Sequence, residues 1–131
     1  MECAAASVEQ RLPSAVRAYA PTTTAVGDAR RFVRACLGDA GRCLDDVLLV
    51  TSELSANAVH HAHTRFAVQV TIDNAAVRIG VWDASPLLPK LLPMTGSSES
   101  GRGIATIAAL SLAWGVEPQP VGKTVWAELR L

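Results

Sequence analysis

The sequence predicts an α+β fold: a two-layer α/β sandwich with helices on one face of a mixed, mostly antiparallel sheet. Three observations carry that prediction. Residues 44–62 (LDDVLLVTSELSANAVHHA) are apolar with a helical period. Residues 66–73 and 77–82 alternate with a period of two on either side of a turn at Asp73-Asn74-Ala75, the pattern of an antiparallel hairpin with one covered face. An alanine-rich helix and a last strand then close the chain. Helices gathered on one side of such a sheet make two layers.

The elements follow in order. Residues 1–13 are a loose lead-in. Residues 16–20 alternate weakly, as an edge strand does. Thr22, Thr23 and Thr24 offer N-caps to a helix that runs to Leu37 and stops at Gly38. Phe32, Val33, Cys36 and Leu37 form its buried stripe. The second helix is residues 44–62. Phe66, Val68, Val70 and Ile72 form the inward set of the first hairpin strand; Val77, Ile79 and Val81 form that of the second. Residues 84–100 (ASPLLPKLLPMTGSSES) are proline-rich, then serine- and glycine-rich, and a structureless loop of that length in a small domain is usually functional or mobile. Gly101-Arg102-Gly103 opens a helix to about residue 113, and residues 124–131 form the final strand.

Composition narrows the function. The 131 residues make one domain, 1–131, with 50% hydrophobic residues and room for a core. Twelve basic and twelve acidic residues cancel, so neither nucleic acid nor an anionic membrane is indicated as a partner. Cys3, Cys36 and Cys43 are odd in number and contain no CxxC pair. Neither a disulfide framework nor a zinc site is expected, and a reduced, cytoplasmic setting is. No signal-peptide pattern opens the sequence, and the longest apolar run, 104–116, is too short and broken to span a bilayer.

The second helix holds the sharpest candidates. At about 100° per residue, Glu53, Asn57 and His60 share a stripe, with Asp46 in line two turns earlier. A carboxylate and a carboxamide four apart suit a hard cation and make poor core. Asn57 would hold Mg²⁺ through its carbonyl oxygen, and Glu53 would polarise a nucleophile attacking phosphorus. The competing reading is a solvated stripe. His60, His61 and His63 lack a firm ligand spacing and suit the C-terminal end of a helix.

Asp83 continues the inward phase of Val77, Ile79 and Val81, and a carboxylate there needs a donor. An adenine amino group or a loop amide would serve; a strand ending before Asp83 would leave it as a turn cap. Gly101 and Gly103 at a helix start let backbone amides approach phosphate, with Arg102 between them. Lys90 and Lys123 could contact phosphate or a partner, but read first as ordinary surface lysines. Trp82 and Trp126 lie off the core phase and cover either a partner or the domain's own loops.

These residues together resemble the Bergerat-fold ATP-binding domain of the GHKL superfamily, and most of all its stand-alone anti-sigma factor serine/threonine kinases. The match runs from about residue 16 to residue 131. TSELSANAVHHA supplies the helix motif E-x-x-x-N, which implies Glu53 as general base and Asn57 as Mg²⁺ ligand. VWDASP supplies Asp83 for the adenine amino group, and ESGRGIATI supplies Gly101, Arg102 and Gly103 for the phosphates. GKTVWAEL supplies Thr124 beside the adenine site, and residues 84–100 form the ATP lid. The resemblance implies ATP and Mg²⁺ as cofactors, phosphorylation of an anti-sigma factor antagonist, sequestration of a sigma factor, and a homodimer. One departure is plain. The family's first glycine box, D-x-G-x-G, is replaced after Asp83 by Ala84, Ser85, Pro86 and Leu87. A nucleotide-binding or nucleotide-free adaptor without kinase activity is therefore the second reading.

Overall fold

The computed structural model describes residues 14–38, 43–73, 75–87 and 99–131, the side chains of residues 99–102 excepted. The lead-in 1–13, residues 88–98 of the expected lid, and Lys90 lie outside the described residues.

The elements run β1 (Ser14–Tyr19), α1 (Thr23–Leu37), α2 (Leu44–Asn57), a π-helical turn (Ala58–Ala62), β2 (Phe66–Ile72), β3 (Ala76–Asp83), α3 (Glu99–Leu110), β4 (Ala113–Pro118) and β5 (Lys123–Arg130). The strands form one sheet in the order β1-β2-β3-β5-β4. All four described pairings are antiparallel, although a mixed sheet was allowed for. The two-layer α+β architecture is the one the sequence predicts.

Period-two burial builds the sheet's inner face. Val77, Ile79, Val81 and Asp83 of β3 pair across to Leu129, Ala127, Val125 and Lys123 of β5, and all eight are buried. Phe66, Val68 and Val70 of β2 extend the same face. Helix α1 packs through Ala25, Ala29, Phe32, Val33 and Leu37, and α2 through Val47, Leu48, Val50 and Leu54. Ile104 and Ile107 bring α3 onto the same core. Each fully buried Val, Leu or Ile contributes roughly 1.5–3 kcal/mol, so these faces dominate stability.

Local chemistry sets the boundaries. Gly38 stops α1 with φ of 60°, and its N–H donates to the Arg34 carbonyl. The Asp73 carboxylate accepts from the Ala75 and Ala76 amides and so folds the β2–β3 turn. The edge strand β1 pairs only with β2 among the described residues and leaves Val16 61% exposed.

Three sequence expectations change. Helix α2 ends as an α-helix at Asn57, and the chain widens into the π-helical turn, closed by an i→i+5 bond from the His63 amide to the Ala58 carbonyl. Helix α3 ends at Leu110. Between it and β5 lies β4, which the sequence reading missed because this edge strand lacks clean alternation: its two ends are exposed and its middle half-buried.

On the outer face of the sheet both Trp82 and Trp126 have contacts within the chain. Arg78 lies 4.1 Å from the Trp126 ring and Arg65 5.3 Å from the Trp82 ring. The Trp82 indole N–H donates to the Val121 carbonyl at 2.8 Å. That bond pins the β4–β5 turn against the end of β3. Gly122 makes the approach feasible: its φ is 79°, and a Cβ there would lie 1.9 Å from the Asp83 carbonyl oxygen. Gly122→Ala is expected to destabilise the fold by roughly 2–4 kcal/mol, combining backbone strain with a clash against main chain. Urea unfolding of the variant measures the loss; a shift under about 0.5 kcal/mol, the usual size for a surface change, would contradict it.

Candidate nucleotide-binding site

Helix α2 places Glu53 and Asn57 one turn apart, both half-buried, at its seam with α3. The seam is closed by Gly103. A Cβ at that position would lie 2.7 Å from the Glu53 carboxylate oxygen and 3.9 Å from the Asn57 Oδ1. A side chain at this position would require the Glu53 carboxylate to move aside, whereas Asn57 would stay at ordinary contact distance. The Asn57 Nδ2 is buried and has no hydrogen-bond partner among the described residues. A buried amide nitrogen in that state is unfavourable by about 1–3 kcal/mol, which fits a group that completes its bonding with a ligand. The donor set of a carboxylate and a carboxamide oxygen is right for Mg²⁺.

Helix α3 begins at Glu99, two residues before the Gly101-Arg102-Gly103 expected to open it, so Gly101 and Arg102 lie in its first turn and Gly103 just beyond, where the amide is used within the helix. The side chain of Arg102 lies outside the described residues. His60 leaves the stripe of Glu53 and Asn57, because the π-helical turn changes the phase after Asn57, and both His60 and His61 are exposed. His63 is exposed with φ of 58°. Asp46 is exposed in the first turn of α2. Among the described residues no group of three or more His, Cys, Asp or Glu could hold a metal.

The other end of the site is built differently. Asp83 is the last residue of β3, 4% exposed, so it keeps the inward phase and also caps the turn that follows. Lys123, read from sequence as a surface residue, is 5% exposed and faces it across the β3–β5 pairing. Its ammonium donates to Asp83 Oδ1 at 2.8 Å, to Oδ2 at 3.1 Å and to the Ser85 carbonyl at 3.2 Å. Three donors meet three acceptors, so the cation is fully bonded. Asp83 Oδ1 also accepts from the Ser85 amide at 2.9 Å. The signal for this pair was present in the sequence: Lys123 shares the inward phase of Val125, Ala127 and Leu129.

The segment that replaces the first glycine box bonds to itself. The Ala84 amide donates to Thr64 Oγ1 at 3.0 Å, and the Leu87 amide to Ser85 Oγ at 3.2 Å. Pro86 has no amide hydrogen. From Ala84 to Leu87 every backbone donor is therefore engaged within the chain. Thr124 is not brought to this group. Adjacent strand residues face opposite ways, so with Lys123 inward Thr124 lies on the outer face, where its hydroxyl bonds the Gln119 amide at 3.3 Å.

The chain belongs to the histidine kinase-like ATPase domain family, whose model matches residues 19–129. Membership places it in the GHKL class and implies ATP binding. Among solved structures it is similar to the RsbU and RsbW domains of Rv1364c from Mycobacterium tuberculosis, at 21% identity and a TM-score of 0.68. That alignment covers 91% of this chain and 32% of the other, so the chain spans about a third of its length. The likeness is one of fold. Comparison with curated protein sequences finds no match. No helix among the described residues is long and apolar enough to cross a membrane.

A buried pair broken from one side leaves an uncompensated charge. Asp83→Ala should lower stability by about 3–5 kcal/mol. The double variant Asp83→Ala, Lys123→Met should recover much of that loss. Urea unfolding of the single and double variants measures both, and equal losses in the two would contradict a coupled pair.

Proposed function

We propose that the protein is an Mg·ATP-dependent serine/threonine protein kinase of the anti-sigma factor type, acting as a homodimer. Its substrate would be a serine of an anti-sigma factor antagonist, and it would sequester a sigma factor. The observation that carries this reading is the seam where Gly103 closes over Glu53 and Asn57. There a base and a hard-cation ligand would lie beside the first turn of α3, whose free amides suit phosphate.

Within this reading Asn57 would hold Mg²⁺ through Oδ1. Mg²⁺ bound there would neutralise phosphate charge. Glu53 takes the proton of the target serine hydroxyl as that oxygen bonds to the γ-phosphorus and the bond to the ADP oxygen breaks. The first-turn amides of α3, Gly101 among them, would hold the phosphates, with Arg102 beside them and Gly103 keeping the approach open. Asp83 would accept from the adenine amino group. Thr124, on the outer face, is left out of this assignment.

A second reading rests on the opposite end of the site. Asp83 bonded to Lys123, and a first glycine box replaced by a self-bonded turn, favour an adaptor that docks a regulatory partner without phosphorylating it.

Calorimetric titration with ATP, with and without Mg²⁺, and phosphate transfer to an anti-sigma factor antagonist separate the two. The kinase reading expects Mg²⁺-dependent binding that Asn57→Ala removes. It also expects transfer that Glu53→Ala lowers by about 10²–10⁴-fold while ATP binding persists. ATP bound without transfer to any antagonist would support the adaptor reading instead.

A further inference from the structure

Lys123 is placed by design of the backbone rather than by chance of a flexible surface side chain. The β3–β5 register sets it opposite Asp83, the Trp82–Val121 bond holds the turn before it, and Gly122 alone allows that turn to touch the Asp83 main chain. Its three donors are all taken, two of them by the Asp83 carboxylate. A carboxylate selects a base amino group by offering it an acceptor. Here the ammonium already holds both oxygens, and the Ser85 amide adds to Oδ1.

We propose that Lys123 is an internal competitor for the base-reading carboxylate and the residue that sets both nucleotide affinity and base preference. This rests on the reading of Asp83 as the adenine contact. With the ammonium on Asp83, a base amino group must displace or share a charge-assisted bond, which weakens binding of an adenine nucleotide. A base carrying a carbonyl where adenine carries its amino group loses less, because that carbonyl can take over the ammonium bond now given to the Ser85 carbonyl while the bonds to Asp83 stay in place. The chain as it stands therefore discriminates poorly between the two, and an adenine nucleotide gains most when the ammonium is removed. Apparent affinity falls in proportion to the population in which the carboxylate is available.

The test is calorimetric titration of the full chain and its Lys123→Met variant with ATP and with inosine triphosphate, which carries the carbonyl. The expected result is that Lys123→Met binds ATP at least about tenfold tighter than the wild type, which is the scale of one charge-assisted hydrogen bond. Inosine triphosphate should gain nothing, so an ATP preference appears in the variant. Adding Asp83→Asn should erase the gain. Should the methionine variant fail to fold, Lys123→Gln, which keeps a neutral donor near Asp83, is expected to move ATP affinity the same way by a smaller factor. If the variants bind ATP no tighter than the wild type, while Asp83→Asn weakens wild-type binding, the proposal is overturned and Asp83 remains the adenine contact. If neither the wild type nor the folded variants bind ATP at millimolar concentration, both the proposal and the kinase reading fall.

Discussion

β3 is paired on both sides, by β2 and by β5, and its inward face lies under the helices. That requirement governs the rest. A strand buried in this way cannot leave a polar side chain without partners, because desolvating it carries a large penalty. Three of its four inward residues meet the requirement with hydrocarbon. The fourth is Asp83, and the structure around it is organised to satisfy a charge. The strand register, the turn before β5 and the first residues after β3 all converge on that carboxylate.

The two ends of the candidate site meet the same constraint by opposite means. At the α2–α3 seam a polar amide, Asn57 Nδ2, is left without a partner among the described residues, and Gly103 brings main chain close to Glu53. The unpaired amide donor is incomplete by itself and would suit an acceptor such as a phosphate oxygen. At the end of β3 the polar groups are complete without any ligand. A buried, fully bonded ion pair is weak evidence for stability gained, since the attraction mainly offsets desolvation. Its more informative property is that it must be rearranged before its carboxylate can serve anything else.

The tryptophans illustrate how the outer face is managed. An open sheet face with large aromatic residues could signal a docking surface. In this chain Arg65 and Arg78 lie over two of the rings and a turn carbonyl takes the Trp82 indole N–H, so the aromatic groups are used within the domain. The Trp82 bond also connects the outer face to the site, because the turn it holds delivers Lys123 to the inner face.

Much of this molecule was legible in the sequence because hydrophobic period is local. The helical stripe of α1, the hairpin of β2 and β3, the inward phase of Asp83 and the one-turn spacing of Glu53 and Asn57 all follow from residue order. The edge strand β4 was not legible, since an edge strand need not alternate cleanly. Nor was the π-helical turn, which takes His60 off the stripe by changing the helix phase after Asn57. The partner of Asp83 was a matter of tertiary structure alone. Phase could place Lys123 inward, but only the pairing of β3 with β5, forty residues apart in the chain, put an ammonium on that carboxylate. Sequence thus determined which residues are candidates for chemistry, and the fold decided which of them are already engaged, because long-range register is set by the packing of the whole sheet.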